Sequence, residues 1–320
     1  FYDATGLGQH LYTLGMKGKK VAILSENSYY WIACYYSIIT GKITAIPLDP
    51  KLPDDDIIDI MVRSGCNAVY YSEDFKDTVE KMKNSEGVVI EQYIKIEDFY
   101  SMVEEGHNEV KNGVKSYLED EVLPSDLAFL VYTSGTTGKS KGVMLSQENV
   151  AADSVASCRV MTGGPAIGFL PLHHTFSWVG ALFSGNLLTE WGFICRSLKD
   201  IQKDLNTYHP QNFSAVPLAI ETIYKKIWFT AKKSGREEML KKGLKISNFL
   251  RKLGIDKRRK IFSEIINNLG GNLEMIVCGG AYLDAKYEKG MEDFGIKIIN
   301  GYYTGRKEGA PITDLALHML

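Results

Sequence analysis

Short apolar runs alternate with amphipathic stretches of about ten residues, and no other feature constrains this chain so strongly. Lys19-Lys20-Val21-Ala22-Ile23-Leu24 is an apolar run entered by charge, the pattern of a strand buried on both faces of a parallel sheet. Ser25-Glu26-Asn27-Ser28 offers capping side chains before a predicted helix over Tyr29 to Thr40, which Gly41 closes. Ile43 to Leu48 reads as the next strand, stopped by Asp49-Pro50. A helix from Pro53 to Ser64, with Gly65 as its C-cap, leads to a strand over Ala68 to Tyr71. Strands joined through helices predict βαβ crossovers and a parallel sheet.

The stretch from 73 to 120 is more polar and weakly periodic, with strand candidates at Val88 to Ile90 and Tyr93 to Ile96. Pro124-Ser125-Asp126 then precedes the strongest strand signal, Leu127 to Tyr132. Thr162-Gly163-Gly164-Pro165 is the best break between lobes, and strands are predicted again over Ala166 to Leu170, Phe213 to Val216 and Leu273 to Cys278. The expected fold is α/β, with two doubly wound, mostly parallel-sheet lobes over 1–165 and 166–305 and an unmatched tail over 306–320.

Composition narrows the class. The 320 residues carry 37 Lys plus Arg against 39 Asp plus Glu, a net charge of −2, so no global attraction to nucleic acid or anionic lipid is expected. The hydrophobic fraction of 45% is that of a globular chain, not a disordered one. Cys34, Cys66, Cys158, Cys195 and Cys278 stand singly, without a Cys-x-x-Cys pair. That argues against a zinc ribbon and for reduced thiols in a cytoplasmic setting. No charged-then-apolar leader precedes Val21, although residue 1 is Phe rather than Met. The longest apolar stretch, Trp31 to Leu48, is broken by Thr40, Gly41, Lys42 and Thr44 and falls short of the ~18 apolar residues of a membrane span.

Charge is uneven along the chain. Between Lys225 and Lys260 stand 14 Lys or Arg against 3 acidic residues, Glu237, Glu238 and Asp256. Two readings fit: a solvated face of surface helices, or an electrostatic surface for an anionic partner such as a membrane, a CoA-like phosphate or nucleic acid.

Chemistry concentrates immediately after the strongest strand. Thr133-Ser134-Gly135-Thr136-Thr137-Gly138-Lys139-Ser140-Lys141-Gly142 combines hydroxyls, glycines and two lysines. Glycines let backbone N–H groups close on a phosphate, hydroxyls donate further hydrogen bonds and lysines supply positive charge. A Walker A loop requires Gly-x-x-x-x-Gly-Lys-Ser/Thr; Gly138-Lys139-Ser140 fits its end, but the first glycine position holds Thr133. The continuation Lys141 to Ser146 reads as a second strand, so the loop is expected at a hairpin tip.

Tyr132-Thr-Ser-Gly-Thr-Thr-Gly-Lys-Ser-Lys-Gly-Val143, followed by Gln147-Glu148-Asn149, resembles the signature of the AMP-forming adenylate synthetases. Leu170-Pro-Leu-His-His-Thr-Phe176, Gly279-Gly-Ala-Tyr-Leu-Asp284, and Val21 to Ser28 with Ile46-Pro-Leu-Asp-Pro50 resemble further blocks of that family, in the right order. Their spacing, with the basic helices after Tyr224, is most similar to the long-chain fatty-acyl-CoA synthetase branch. The resemblance implies activation of a fatty acid by ATP to an acyl-adenylate, with Mg²⁺, and transfer of the acyl group to CoA. It implies that Thr133, Ser134, Gly135, Thr136, Thr137, Gly138 and Lys141 line the β/γ-phosphate loop. His174 would lie against the carboxylate and α-phosphate, whereas His173 keeps a structural role. Gly279, Gly280 and Ala281 would run along the adenine, with Tyr302 stacked on it. An acyl pocket would involve the helix after His174, including Trp178, Val179 and Gly180, and the region past Ala281. The partners implied are small molecules, with peripheral membrane contact through 225–260 as an accessory and no nucleic acid.

The resemblance breaks after Tyr302. The family continues Gly-Tyr-Gly-x-Thr-Glu, whose Thr contacts phosphate and whose Glu holds Mg²⁺, but here Gly301-Tyr302 is followed by Tyr303-Thr304-Gly305-Arg306. Thr304 falls one place early and no acid stands in register, so no metal ligand is assigned. The Thr-Gly-Asp block and the mobile C-terminal domain with its lysine have no match. The expectation is an incomplete large domain, deficient in turnover, with 306–320 an out-of-frame or spliced tail.

Overall fold

The computed structural model describes residues 1–133, 140–158, 163–168, 170–177, 192–194 and 199–300. It divides into two compact units: Phe1–Ala152 with Pro171–His174, and Asp153–Leu170 with Thr175–Leu320. The chain leaves the first unit within a helix, α6 (Gln147–Cys158), and returns to it for the four residues Pro171–His174. The Thr162 to Pro165 punctuation therefore falls inside the second unit, and His174 falls in the first.

Among the described residues the first unit holds a six-stranded sheet in the order β4-β3-β1-β2-β5-β6. Its strands are β1 (Lys20–Leu24), β2 (Thr44–Pro47), β3 (Ala68–Tyr71), β4 (Gln92–Lys95), β5 (Leu127–Thr133) and β6 (Lys141–Ser146). All pairings are parallel except β5 with β6, which is antiparallel. β1 and β3 are buried nearly throughout, as their unbroken apolar runs require. Helix α2 (Tyr29–Ile39) begins where the Ser28 side chain accepts the Trp31 N–H at 3.1 Å. Its Trp31 stacks on Tyr35, which stacks on Phe129 of β5, all three rings fully buried. Burying each such side chain contributes roughly 2–3 kcal/mol. Helix α3 (Asp54–Ser64) opens with three aspartates on its positive end and closes at Gly65 in the left-handed region, φ 60°.

Three helices escape the sequence reading. α4 (Lys76–Lys83) and α5 (Phe99–Lys111) occupy the stretch read as weakly periodic, and α1 (Tyr2–Thr13) precedes β1. α1 and α5 pack backbone to backbone: a Cβ on Gly6 would sit 2.6 Å from the Val103 carbonyl oxygen, and one on Gly106 would strike the Gly6 carbonyl. Residues 88–90, read as a strand, join no ladder. Val88 and Ile90 pack their side chains against the core beneath β3, and pairing starts only at Gln92, opposite Ala68.

The second unit holds a five-stranded parallel sheet among the described residues, in the order β11-β10-β9-β7-β8. The strands are β7 (Ala166–Gly168), β8 (Gly192–Ile194), β9 (Asn212–Ala215), β10 (Met275–Cys278) and β11 (Lys297–Asn300). Its helices are α7 (Ile201–Tyr208), α8 (Pro217–Lys233), α9 (Glu237–Lys252), α10 (Arg258–Ile261), α11 (Ser263–Asn268) and α12 (Ala285–Asp293). Strand alternation splits the core. Ile276 and Cys278 of β10 join Ile220, Phe262, Met291 and Phe294 on one face, while Met275 and Val277 join Leu170 and Phe176 on the other.

Candidate functional site

In an open α/β sheet the carboxyl ends of the strands are where ligand groups collect, because loops there are free of crossover packing. The first unit places two candidate segments at such ends, the hairpin that follows β5 and the turn Pro171–His174. β5 ends at Thr133, and the ladder pairs Thr133 with Lys141 and Tyr132 with Gly142. The chain that follows the hydroxyl- and lysine-rich segment is thus a strand, β6, antiparallel to β5, rather than the helix a P-loop would open, which removes that alternative. Thr133 and Lys141 face each other across the ladder and both are exposed. Ser134, Gly135, Thr136, Thr137 and Gly138 lie outside the described residues.

Arg63, at the end of α3, holds the returning arm of the hairpin. Its guanidinium donates to the Ser140 carbonyl and to Ser140 Oγ, each at 2.8 Å, and to Asp59 Oδ2 at 2.7 Å. The same guanidinium lies 5.1 Å from the centre of the Tyr132 ring. One planar fork therefore grips both arms. No local pattern in the sequence marks Arg63, because its contact with Ser140 spans 77 positions.

The other end of β6 is fixed by a reciprocal cap. Ser146 Oγ accepts the Asn149 N–H at 3.3 Å, and Asn149 Oδ1 accepts the Ser146 N–H at 3.0 Å. Gln147 Nε2 donates to the Ile39 carbonyl at the end of α2 at 2.8 Å. Gln147 and Asn149 therefore hold the end of the strand in place.

Pro171–His174 is a tight turn, closed by the His174 N–H on the Pro171 carbonyl at 3.1 Å. It is anchored at the sheet edge. Asn27, just past β1, accepts the Leu172 N–H at 2.8 Å, and Asp49, just past β2, lies 3.6 Å from His173 Nε2. The two imidazoles sit 4.3 Å apart, centre to centre. His173 is 8% exposed; its burial first, then the neighbouring His174, push its pKa down to about 4 against an opposing pull from Asp49. His174 is solvent-accessible. Partial desolvation of its ring lowers its pKa below the ordinary imidazole value, with Asp49 opposing and Lys51 assisting. Neutral near pH 7, His174 can donate or accept one hydrogen bond without adding charge. Asn27 and Asp49, read in the sequence as a cap residue and a strand stop, are its scaffold.

In the second unit the carboxyl end of β10 runs into Gly279-Gly280-Ala281. The Gly279 N–H extends the ladder onto the Ala215 carbonyl at 3.2 Å, and a Cβ there would lie 3.0 Å from the Phe176 ring. Gly280 has φ +81°, a conformation that L side chains resist. Gly280 and Ala281 are exposed, so this turn offers bare backbone where the hairpin offers side chains. Asp284 closes the turn by accepting the Lys286 N–H at 2.9 Å, the N-cap of α12. Tyr302, Thr304, Trp178, Val179 and Gly180 lie outside the described residues. Among the described residues no three His, Cys, Asp or Glu side chains gather into a metal site, and no ligand is assigned to Mg²⁺.

Two mostly parallel sheets of this kind are the α/β fold found in the N-terminal domain of adenylate-forming enzymes. The chain matches the AMP-binding enzyme family over residues 3–313, and it belongs to that family. It is 25% identical over 335 residues to fatty acyl-CoA synthetase A of Dictyostelium discoideum, which spans 93% of this chain and 48% of that one. To long-chain-fatty-acid–CoA ligase 5 of Mus musculus it is 27% identical over 307 residues, 86% of this chain and 44% of the relative. Long chain acyl-CoA synthetase 4 of Arabidopsis thaliana is 28% identical over 315 residues, 88% and 47% of the two chains. The chain spans about half the length of these curated relatives. Among solved structures, the inhibitor-bound N-terminal domain of FACL13 from Mycobacterium tuberculosis matches with a TM-score of 0.69 at 17% identity. That match covers 95% of this chain and 67% of the other, and it carries the fold alone.

Proposed function

We propose that the chain carries the nucleotide- and carboxylate-binding part of an AMP-forming ligase that joins a long- or medium-chain fatty acid to CoA. The observation that carries this reading is the β5–β6 hairpin, with Thr133 and Lys141 paired at its tip at the carboxyl edge of the sheet. The long-chain ligase relatives support the acyl class. In the first step a fatty-acid carboxylate oxygen attacks the α-phosphorus of ATP, the bond to the β-phosphate oxygen breaks, and pyrophosphate leaves with the electron pair. In the second, the CoA thiol attacks the acyl carbon, losing its proton, and AMP leaves.

This chain's residues position and neutralise rather than react covalently. Thr133, Ser134, Thr136 and Thr137 hydroxyls, with N–H groups at Gly135 and Gly138, donate to the β/γ-phosphates, and Lys141 supplies charge. His174 donates a hydrogen bond to the oxygens between carboxylate and α-phosphate. The backbone of Gly279 to Ala281 passes along the adenine, with Tyr302 against the ring and Thr304 near phosphate. Mg²⁺, where bound, would offset phosphate charge. Long fatty acids reside in bilayers, so peripheral membrane contact through 225–260 belongs to the same reading, as does a cytoplasmic setting. The altered run after Tyr302 favours a second reading, a module that binds nucleotide and acyl group without turnover. ATP–pyrophosphate exchange with palmitate separates the two. Exchange above background, lost in His174→Ala, supports the ligase, whereas nucleotide binding without exchange supports the module. Neither binding nor exchange refutes both.

A further inference from the structure

Helix α9 turns Leu240, Leu244 and Ser247 toward the protein, where the two leucines pack on the core of the second unit. Met239, Ile246 and Leu253 stand seven residues apart, two helical turns each, and Phe249 stands beside them. These four side chains are 61, 57, 60 and 62% exposed, one apolar strip along the outside of the helix and its C-cap. Lys242, Lys245 and Lys252 lie three or four positions from strip residues and are exposed.

The surrounding basic charge sorts into two sets. Arg236 is paired with Glu264, Lys241 with Glu237 and Glu238, and Arg251 with Asp293. Lys242, Lys245 and Lys252 have no ion-pair partner among the described residues, nor do exposed Lys233, Lys257 and Lys260. Positive charge is thus left uncompensated along the strip, and Lys233, Lys257 and Lys260 add to it beyond the helix ends. Met239 also lines an open cleft of about 470 Å³ between α8, α9 and the segment 261–269, walled by Ile223, Ile227, Leu240, Phe262 and Ile265. The cleft adjoins the core face of Ile276 and Cys278, whereas Phe176 of the histidine block packs on the opposite face of β10.

We propose that this face docks on the surface of a bilayer containing anionic lipid. The strip sits at the boundary between headgroups and acyl chains, and the lysines sit on the headgroup charge. A narrow line of Met, Ile, Phe and Leu flanked by lysines is the composition of an interfacial helix. Protein interfaces are instead depleted in lysine. The inference gives the peripheral contact of the preceding reading a face and a lipid charge. Vesicle binding needs no ATP, so it succeeds or fails apart from catalysis.

The test is co-sedimentation of the 320-residue chain with phosphatidylcholine vesicles, with and without phosphatidylserine. Binding only to the serine-containing vesicles, weakening with salt, is expected. Lys242→Gln, Lys245→Gln and Lys252→Gln together should weaken it on the order of 100-fold, at about fivefold per lysine near an anionic surface. Ile246→Glu with Phe249→Glu should reduce it by at least about tenfold, through loss of buried apolar area. All five side chains are exposed, so thermal unfolding should be unchanged. Should the double variant unfold, Phe249→Trp offers a milder probe, whose emission should shift to the blue on vesicles. No binding by the parent chain, binding indifferent to the apolar variants, or an unshifted Trp would overturn the proposal. So would self-association through this face in the absence of lipid.

Discussion

The strand ends of the two units solve one problem in opposite ways. In the first unit, β1, β2, β5 and the Pro171–His174 turn deliver side chains: Asn27, Asp49, Thr133 with its partner Lys141, and His174. In the second, β10 delivers backbone, with Gly280 at φ +81° and Gly279 so near the Phe176 ring that a Cβ would lie 3.0 Å from it. A phosphate needs donors and charge, whereas the edge of a flat ring needs room and polar backbone. The first unit should therefore respond to titration and truncation of side chains, and the second to changes of backbone freedom.

The largest effect is expected from pH. His173 has its pKa lowered from 6.5 to about 4, so between those values the unfolded chain binds a proton that the folded chain refuses. Stability present above pH 6.5 should fall as the pH drops toward 4, by about 3 kcal/mol in all. Denaturant unfolding across that window should show the slope, and His173→Gln should flatten it in the difference curve. A parallel slope in the variant would mean that another group carries the effect. Next comes Lys141→Ala, which on the proposed reading should weaken ATP binding on the order of 30-fold while leaving the melting temperature unchanged, since the side chain is exposed and has no ion-pair partner among the described residues. Gly280→Ala, by contrast, should show in stability. It costs about 1–2 kcal/mol of stability through its left-handed backbone, although the nearest obstacle, Val216 Cγ1, is a comfortable 3.9 Å away. Calorimetry on both variants crosses the comparison; a melting loss in Lys141→Ala without one in Gly280→Ala would break it.

How legible the molecule is in its sequence depends on what kind of interaction decides each element. β1, β3, β5 and β10 can be read because a strand covered on both faces is an unbroken apolar run. Helices α1 and α5 cannot. Gly6, Gly8 and Gly106 lower local helix propensity, and the compensating gains are a backbone-to-backbone approach at Gly6 and Gly106 and room for the Tyr117 ring at Gly8, between segments a hundred positions apart. Val88 and Ile90 mislead in the other direction, since their side chains are half-buried without ladder bonds. At the site, the chemistry of residues 133–142 and 279–281 is legible as donors and glycines. Asn27, Asp49 and Arg63 are not, because each acts on a partner brought to it only by the sheet.

Arg63 gives the smallest expected effect and the sharpest form of the comparison. It touches no proposed ligand group, yet its guanidinium binds the Ser140 carbonyl and hydroxyl and covers the Tyr132 ring, so it sets the spacing of the hairpin arms from outside. Arg63→Lys keeps the charge but loses the planar fork, and one ammonium cannot reach both Ser140 atoms in the same geometry. Stability should fall by no more than about 1 kcal/mol, because the side chain is partly exposed and the ion pair with Asp59 is retained. ATP affinity should fall about threefold, with the salt dependence of binding unchanged, since the lysine restores the charge. Titration of ATP binding at two ionic strengths distinguishes the alternatives. An affinity loss that vanishes at high salt would make Arg63 an electrostatic contributor. A loss independent of salt makes it a positioning residue, and extends the first unit's reliance on side chains one layer behind the hairpin.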